Sequence, residues 1–193
     1  MRVLVTGGSS LIGAGVAAAL VARGDEVVVQ QRSRSEALGR LGVRQELGDI
    51  RDLDVVLAAS ADCDAIVHLA AKVGVVGDWE DYRSINVDGT RNVLHAARRG
   101  GVGRVVHVSS PSVAHGGEPI VGGGADEPVL GRRRAWYPES KAMAEIDALA
   151  AAGDDLGVVA IRPHLVWGPG DTQLVGRIVE RAATGRLALV GGG

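Results

Sequence analysis

Val3-Leu4-Val5-Thr6-Gly7-Gly8-Ser9-Ser10-Leu11-Ile12-Gly13 is the stretch that orders the rest of the chain. Val3 to Val5 is a short apolar run and predicts a buried strand. A Gly/Ser turn follows, and then Leu11, Ile12, Val16, Ala19 and Leu20 recur at helical spacing. Strand, glycine turn and helix in this order predict the opening of a dinucleotide-binding βαβ unit. Such a turn needs φ > 0, which Gly7 adopts at little cost. A pyrophosphate needs close backbone approach, so Gly7, Ser9 and Ser10 suit the site by being small. Gly13 is expected to let the helix pack against the strand. The helix N-terminus, through Leu11, Ile12 and Gly13, offers N–H groups and a partial positive charge to phosphates. An ordinary βα loop can carry the same glycines. Here the turn follows the first strand directly, and a second strand, Glu26 to Gln30, comes at the distance a βαβ unit requires.

The 193 residues suffice for one domain, 1–193, with a sizeable core, and 46% hydrophobic content with mean hydropathy of +0.15 excludes a disordered chain. A net charge of −2 supplies no attraction toward nucleic acid or an anionic membrane. The single cysteine, Cys63, excludes an internal disulfide and a cysteine zinc cluster. No metal site is expected, and a reducing, cytoplasmic setting fits. The first apolar segment is interrupted by Thr6-Gly7-Gly8 and is not a signal sequence. No apolar run approaches the ~18 residues of a membrane span.

Strand and helix patterns alternate throughout, which predicts an α/β fold: a doubly wound parallel sheet of about seven strands, covered on both faces. Val43 to Leu47, Ala65 to Leu69, Val105 to Val108 and Val158 to Ile161 are the further strands. One long helix is expected from about Trp79 to Arg99, and another from about Thr172 to Thr184. The second strand ends in Gln30-Gln31-Arg32-Ser33-Arg34, with no acid to hold the ribose 2′-hydroxyl of NAD. Arg32 and Arg34 suit a 2′-phosphate instead, so NADP is the cofactor expected and NAD the alternative. The plainer alternative for both arginines is a solvated loop. Asp49 follows the third strand and can cap the helix that starts near Asp52. His68 stands in an apolar run and reads as a satisfied core histidine. From His115 to Arg134 the chain is rich in Gly, Pro and charge, a long connector expected to cover the active site. Within it, Arg132-Arg133-Arg134 is either an attractor for an anionic substrate or a solvated run.

Tyr137-Pro138-Glu139-Ser140-Lys141 is the sharpest signal for chemistry, a surface Tyr–Lys pair on an amphipathic helix being the plainer alternative. Pro138 suits a first helical turn, so a helix starts here, and Tyr137 and Lys141 share one face of it. Moving hydride between a carbinol carbon and a nicotinamide requires a proton to move at the oxygen. A free phenol, with pKa about 10, is too weak a base at neutral pH. A neighbouring ammonium favours phenolate. A hydroxyl cluster, Ser109-Ser110-Pro111-Ser112, closes the strand Val105 to Val108, at the strand edge where open α/β sheets bind ligands.

Together these segments resemble the extended short-chain dehydrogenase/reductase superfamily. The opening Thr6, Gly7 and Gly13 match its T-G-x-x-G-x-x-G, with Ser10 at the middle glycine. His68-Leu69-Ala70-Ala71 and Asn86-Val87-Asp88-Gly89-Thr90 match two further segments. Ser109-Ser110-Pro111-Ser112-Val113, Tyr137 to Lys141 and Arg162-Pro163-His164-Leu165-Val166-Trp167-Gly168-Pro169-Gly170-Asp171 narrow the likeness to the 3β-hydroxysteroid dehydrogenase group. The resemblance implies that Ser110, Tyr137 and Lys141 are catalytic, with Ser109 and Ser112 as alternates to Ser110 and with Asn86 in support. It places Gly7, Ser9, Ser10, Leu11, Ile12, Gly13, Gln31, Arg32, Arg34, Asp49, Ile50, Leu69, Ala70, Ala71, Tyr137, Lys141, Pro163 and Leu165 at the cofactor. Asp49 and Ile50 would be on the adenine side, and Lys141 would also reach the cofactor ribose. The implied reaction interconverts a secondary alcohol and a ketone on a small molecule, with a 3β-hydroxysteroid or a related compound as the substrate the resemblance suggests. A nucleotide-sugar epimerase or dehydratase, and a non-catalytic cofactor-binding domain, are the alternatives. The resemblance allows a homodimer. It also implies a Rossmann-type fold truncated before the substrate-binding region, since relatives continue past the point where this chain stops.

Overall fold

The computed structural model describes residues 1–74, 76–115, 121–131, 135–169, 171 and 174–188. They fall into two compact units, one up to Pro163 and one from His164, each described by itself. Arg132 to Arg134, Gly170, and the first two residues of the helix expected from Thr172 to Thr184, Thr172 and Gln173, lie outside the described residues.

In the first unit the strands are β1 (Arg2–Thr6), β2 (Glu26–Gln31), β3 (Arg44–Leu47), β4 (Ala65–His68), β5 (Arg104–Val108) and β6 (Gly157–Ile161). They form one sheet in the order β3-β2-β1-β4-β5-β6, parallel at every pairing. About seven strands were expected and six are present among the described residues. The order reverses between β1 and β4, and a crevice opens there at the strand C-termini.

Strand period decides which face each residue serves. Leu4 and Val28 point into one core with Ile66 and Val105, under helices α3 (Leu53–Ser60), α5 (Gly89–Arg99) and α6 (Trp136–Ala150). Val5, Val27 and Val29 point into the other, under α1 (Leu11–Ala22) and α2 (Glu36–Arg40). Burial on both faces is why these strands read as continuous apolar runs rather than alternating ones. Cys63 is buried just before β4, and burial pushes its thiol up.

The helix expected from Trp79 to Arg99 is present but not uniform. It begins as α4 (Trp79–Tyr82), widens into a π-helical segment over Arg83–Asp88, and continues as α5. Asn86 lies in the widened segment, where π geometry re-aims side chains. In the second unit, α7 (Val175–Ala183) has no buried residue. No helix of the described residues is long and apolar enough to cross a membrane.

Candidate functional site

The glycine turn is built as the sequence predicts, with two refinements. Gly7 has φ +70, and a Cβ there would lie 2.9 Å from the backbone Cα and N of Ala70. Only glycine permits the turn after β1 to lie against the segment after β4. A Cβ on Gly13 would lie 2.5 Å from Gly7 O and 2.8 Å from Gly8 Cα. Its absence therefore makes room for the turn itself, not for the strand as expected. Ser10, at the position where the pattern has its middle glycine, is the N-cap of α1. Its Oγ accepts from Gly13 N at 3.1 Å and donates to Gly7 O at 2.9 Å. The sequence signal for this was present: a serine directly before the first helical apolar residue. Ser10 occupies one orphan N–H of α1 and leaves those of Leu11 and Ile12 pointing out of the first turn.

A cleft of about 420 Å³ opens beside this turn, a typical volume for a ligand site. Of the residues expected at the cofactor, Gly7, Ser9, Ser10, Gln31, Arg32, Asp49, Ile50, Leu69, Ala70 and Ala71 line it. Gln30, Gly48, Lys72 and Ile85 line it too, and no motif had singled them out. Leu11, Ile12, Gly13, Arg34, Tyr137, Lys141 and Pro163 are not on its wall. Leu165 belongs to the second unit, where it is exposed and has φ +47.

Gln30 and Gln31 are buried under the far end of the cleft. Gln30 Nε2 donates to Gly48 O at 2.7 Å, and Gln31 Nε2 to Gln45 Oε1 at 2.9 Å. They pin the end of β2 so that the exposed Arg32 projects from a fixed base. Asp49 is the one acid on the described wall. It is gripped by Arg51, whose Nε and NH2 donate at 2.9 and 2.8 Å, and that hydrogen-bonded guanidinium holds its carboxyl below the usual range. Asp49 is not the helix cap; Asp52 is, through bonds to the N–H groups of Asp54 and Val55.

The second cluster lies at the end of β5. Ser110 caps a 3₁₀ turn (Pro111–Ala114), its Oγ 2.9 Å from Ser112 Oγ. Tyr137, in the first turn of α6, lies beside the Ser110 side chain. Burial pushes the phenol above its ordinary pKa of 10.0, and the nearby Ser110 hydroxyl opposes that rise. The ammonium expected to favour phenolate is engaged elsewhere: buried Lys141 donates from Nζ to Val108 O at 2.8 Å. Burial pushes Lys141 down to about 8, with the nearby Glu145 carboxylate opposing. Glu145 is itself buried and paired with Arg162, whose Nε lies 3.1 Å from both carboxylate oxygens. Arg162 also donates to Asp126 O at 2.8 Å, and Val129 N donates to Val113 O at 2.9 Å. The described part of the long connector is thus anchored around the β5 edge.

Asn86 joins this cluster from the π segment. Its Oδ1 accepts from Lys72 N at 2.6 Å, and its Nδ2 donates to Lys72 O at 3.0 Å and to Ser140 Oγ at 2.9 Å. Ser140 Oγ in turn donates to Tyr137 O at 2.9 Å. Asn86 thus ties the cleft wall at Lys72 to the turn that carries Tyr137. His68 is fully buried with both ring nitrogens bonded, as its apolar setting predicts. Burial pushes it down to about 3, so the ring is neutral. Beside it, at 5.4 Å between ring centroids, His107 is neutral for the same reason, and neither of its nitrogens has a partner among the described residues.

A parallel sheet in this order, a glycine turn at its reversal point and a Ser110–Tyr137 pair at the edge of β5 have the architecture of the extended short-chain dehydrogenase/reductases. More narrowly, the chain belongs to the 3-beta hydroxysteroid dehydrogenase/isomerase family, whose model matches residues 4–192. It is 47% identical, along its whole length, to a 2-alkyl-3-oxoalkanoate reductase of Stenotrophomonas maltophilia, of which it covers 59%. It is 39% identical over 99% of its length to a 3 beta-hydroxysteroid dehydrogenase/Delta 5→4-isomerase of Mycobacterium tuberculosis, of which it covers 54%. Among solved structures it resembles the UDP-glucose 4-epimerase of Thermus thermophilus in complex with NAD. There the TM-score is 0.81 and the identity 32%, over 97% of this chain and 64% of that one. The chain spans between 50% and 59% of the length of the curated relatives it matches.

Proposed function

We propose that residues 1–193 form one NAD(P)-binding Rossmann domain of an oxidoreductase that interconverts a secondary alcohol and a ketone on a small molecule, with Tyr137 as acid and base. The observation that carries this is the placement of Ser110, at the C-terminal end of β5, beside Tyr137 in the first turn of α6, in the same sheet as the glycine-turn cleft. The cleft fits a dinucleotide: a cradle that a Cβ on Gly7 would fill, and a capped helix N-terminus with free N–H groups. Gly7, Ser9 and Ser10 would hold the pyrophosphate, with Leu11 and Ile12 contributing backbone N–H groups. Leu69 to Ala71 would form the floor, and Asp49 and Ile50 the adenine end. When bound, the nicotinamide supplies the hydride or accepts it.

Tyr137 and Ser110 then handle the substrate oxygen. The buried phenol is protonated at neutral pH, which sets it to give its proton to a ketone oxygen as that oxygen gains charge. Ser110 holds the same oxygen by hydrogen bond. Lys141 would reach a ribose only by leaving the Val108 carbonyl, and with a pKa of about 8 it can exchange a proton near neutrality. Asn86 keeps the catalytic turn in place. Arg32, together with a second strand that ends without an acid, favours NADP over NAD. Asp49 offers no competing charge, because Arg51 neutralises it.

The test is a parallel titration with NADPH and NADH, followed by nicotinamide fluorescence and then an alcohol and ketone screen. Tighter NADPH binding, lost preferentially in Arg32→Ala, is the expected result. Equal affinities would remove the NADP preference, and turnover retained in Tyr137→Phe would remove the mechanism. A second reading, epimerase or dehydratase, is favoured by the likeness to the Thermus thermophilus enzyme. It predicts NAD that stays bound through purification and a reaction with no net redox change. Binding without turnover on any alcohol would favour a non-catalytic domain.

A further inference from the structure

One buried polar chain under the site connects its two halves. Thr6, the last residue of β1, is fully buried, and its Oγ1 accepts from Leu69 N at 3.2 Å and from Ala70 N at 3.1 Å. Both acceptor positions of the hydroxyl are thereby filled, so its proton points at the remaining neighbour, His68 Nδ1 at 2.8 Å. Nδ1 is therefore an acceptor, and in a neutral ring the proton sits on Nε2. Nε2 lies 2.9 Å from Thr90 Oγ1, whose own hydroxyl donates to Asn86 O at 2.6 Å. Every donor along the line points the same way, from the Leu69–Ala70 amides through Thr6, His68 and Thr90 to the π segment. Bonds aligned in this way polarise and strengthen one another, and the low-dielectric surroundings make each costly to leave unmade. At the far end, the Asn86 side chain grips Lys72 and Ser140, and Ser140 grips the Tyr137 carbonyl.

We propose that His68 is a positioning residue whose Nε2–H tautomer, locked by Thr6 and Thr90, ties the dinucleotide floor at Leu69–Ala70 to the turn that carries Tyr137. The proposal rests on the dinucleotide-site assignment above. It assigns a task to a histidine that touches neither cofactor nor substrate. His68 ties the end of β1, through Thr6, to α5, through Thr90, and Thr90 carries that tie into the widened segment at Asn86. Any buried histidine needs partners for its nitrogens; what sets His68 apart is that its two partners belong to the turn beside the cleft floor and to the helix that holds Asn86.

The experiment compares Thr90→Val, Thr90→Ser and His68→Leu with the wild-type chain. Val93→Ala serves as control, a fully buried position on the same helix without a polar partner. Dissociation constants for NADPH and NADH are read beside Tm. Thr90→Val and His68→Leu are expected to weaken dinucleotide binding by roughly three- to tenfold, the scale of a broken buried hydrogen bond. Thr90→Ser keeps the hydroxyl and restores binding, and Val93→Ala lowers Tm while leaving the dissociation constants unchanged. In the wild type, ¹⁵N spectra should show His68 as a neutral Nε2–H ring well below pH 6.5, the ordinary value for a histidine. Its signal is the one missing from His68→Leu. If that variant does not fold, the Thr90 pair and the wild-type spectrum still decide. Unchanged affinity in Thr90→Val, an effect no larger than that of Val93→Ala, or an Nδ1–H ring overturns the tie alone. A wild-type chain that binds neither nucleotide overturns the dinucleotide site and the tie together.

Discussion

The glycine-turn cleft and the Ser110–Tyr137–Lys141 corner sit at one edge of one sheet, but they are held by different means. The cleft is made of backbone and short side chains, and its decisive bond, Gly13 N to Ser10 Oγ, spans three residues. The corner depends on side chains brought from far apart in sequence. Lys141 reaches Val108 across 33 residues, and Asn86 reaches Ser140 across 54. The first region is specified by what is missing, a Cβ at Gly7 and at Gly13. The second is specified by where polar groups find partners in a dry interior. A phosphate site needs close approach, which small residues supply locally. Proton handling needs groups with shifted pKa values, which only burial and neighbours supply.

The sharpest break of the corner is Tyr137→Phe. Turnover should fall by about a hundred- to ten-thousand-fold, the usual contribution of a positioned acid–base group. Nucleotide affinity should stay within about a factor of two, because the phenol is not on the cleft wall. Steady-state rates beside a fluorescence titration check both halves of that statement, and a joint loss would merge the two regions.

Lys141 offers the next largest effect. Its pKa is about 8 folded and near the ordinary 10.5 unfolded. Below about pH 8 both states are charged and the full cost of burying the ammonium opposes folding. Between about 8 and 10.5 the unfolded chain binds the proton that the folded chain has lost, so stability rises with pH by a few kcal/mol. Lys141→Met should lack this rise. Tyr137 and Cys63, whose pKa values burial raises, act in the opposite sense in both proteins and cancel in the difference. Denaturant midpoints on either side of that window measure it, and parallel curves would mean that Lys141 is not buried as described.

Two glycines of the cleft region make a smaller, paired test. Gly7→Ala forces a side chain into φ +70, costing about 1–2 kcal/mol of strain, and sets a Cβ against the Ala70 backbone. Its Tm should drop and nucleotide binding should be lost. Gly15→Ala, in an exposed stretch of α1 with nothing within 4 Å, should raise stability by about 0.5–1 kcal/mol and leave binding alone. If Gly7→Ala kept its Tm and its nucleotide affinity, the turn at Gly7 would not be the cradle described.

Much of this was legible in the sequence. Apolar runs marked β1, β2, β4 and β5 because strands buried on both faces have no polar side to confuse the pattern, whereas β3 and β6 lie at the edges of the sheet and are partly exposed. Pro138 and the spacing of Tyr137 and Lys141 marked the start of a helix, which begins one residue earlier, at Trp136. The same sequence was ambiguous about Asp49, which reads equally as a cap and as a cleft residue until Arg51 is seen gripping it. It predicted one uniform helix from Trp79 to Arg99, because side-chain periodicity barely registers a single widened turn. The partners of Lys141 were misjudged for a different reason. Four residues of helical separation bring Tyr137 and Lys141 to one face, but length and burial carry the ammonium past the phenol to the β5 carbonyl.

By itself the sequence determined the order of the strands along the chain, the glycine turn after β1, and the presence of a serine, a tyrosine and a lysine at the β5 edge. These depend on local geometry and on the 2.0 and 3.6 periods of the backbone. The tertiary structure alone decided which polar groups meet: Asn86 with Lys72 and Ser140, Glu145 with Arg162, and His68 between Thr6 and Thr90. Hydrophobic burial is non-directional and can be read from composition and pattern. Buried hydrogen bonds are directional and short, so their partners are settled only when the packed elements set the distances.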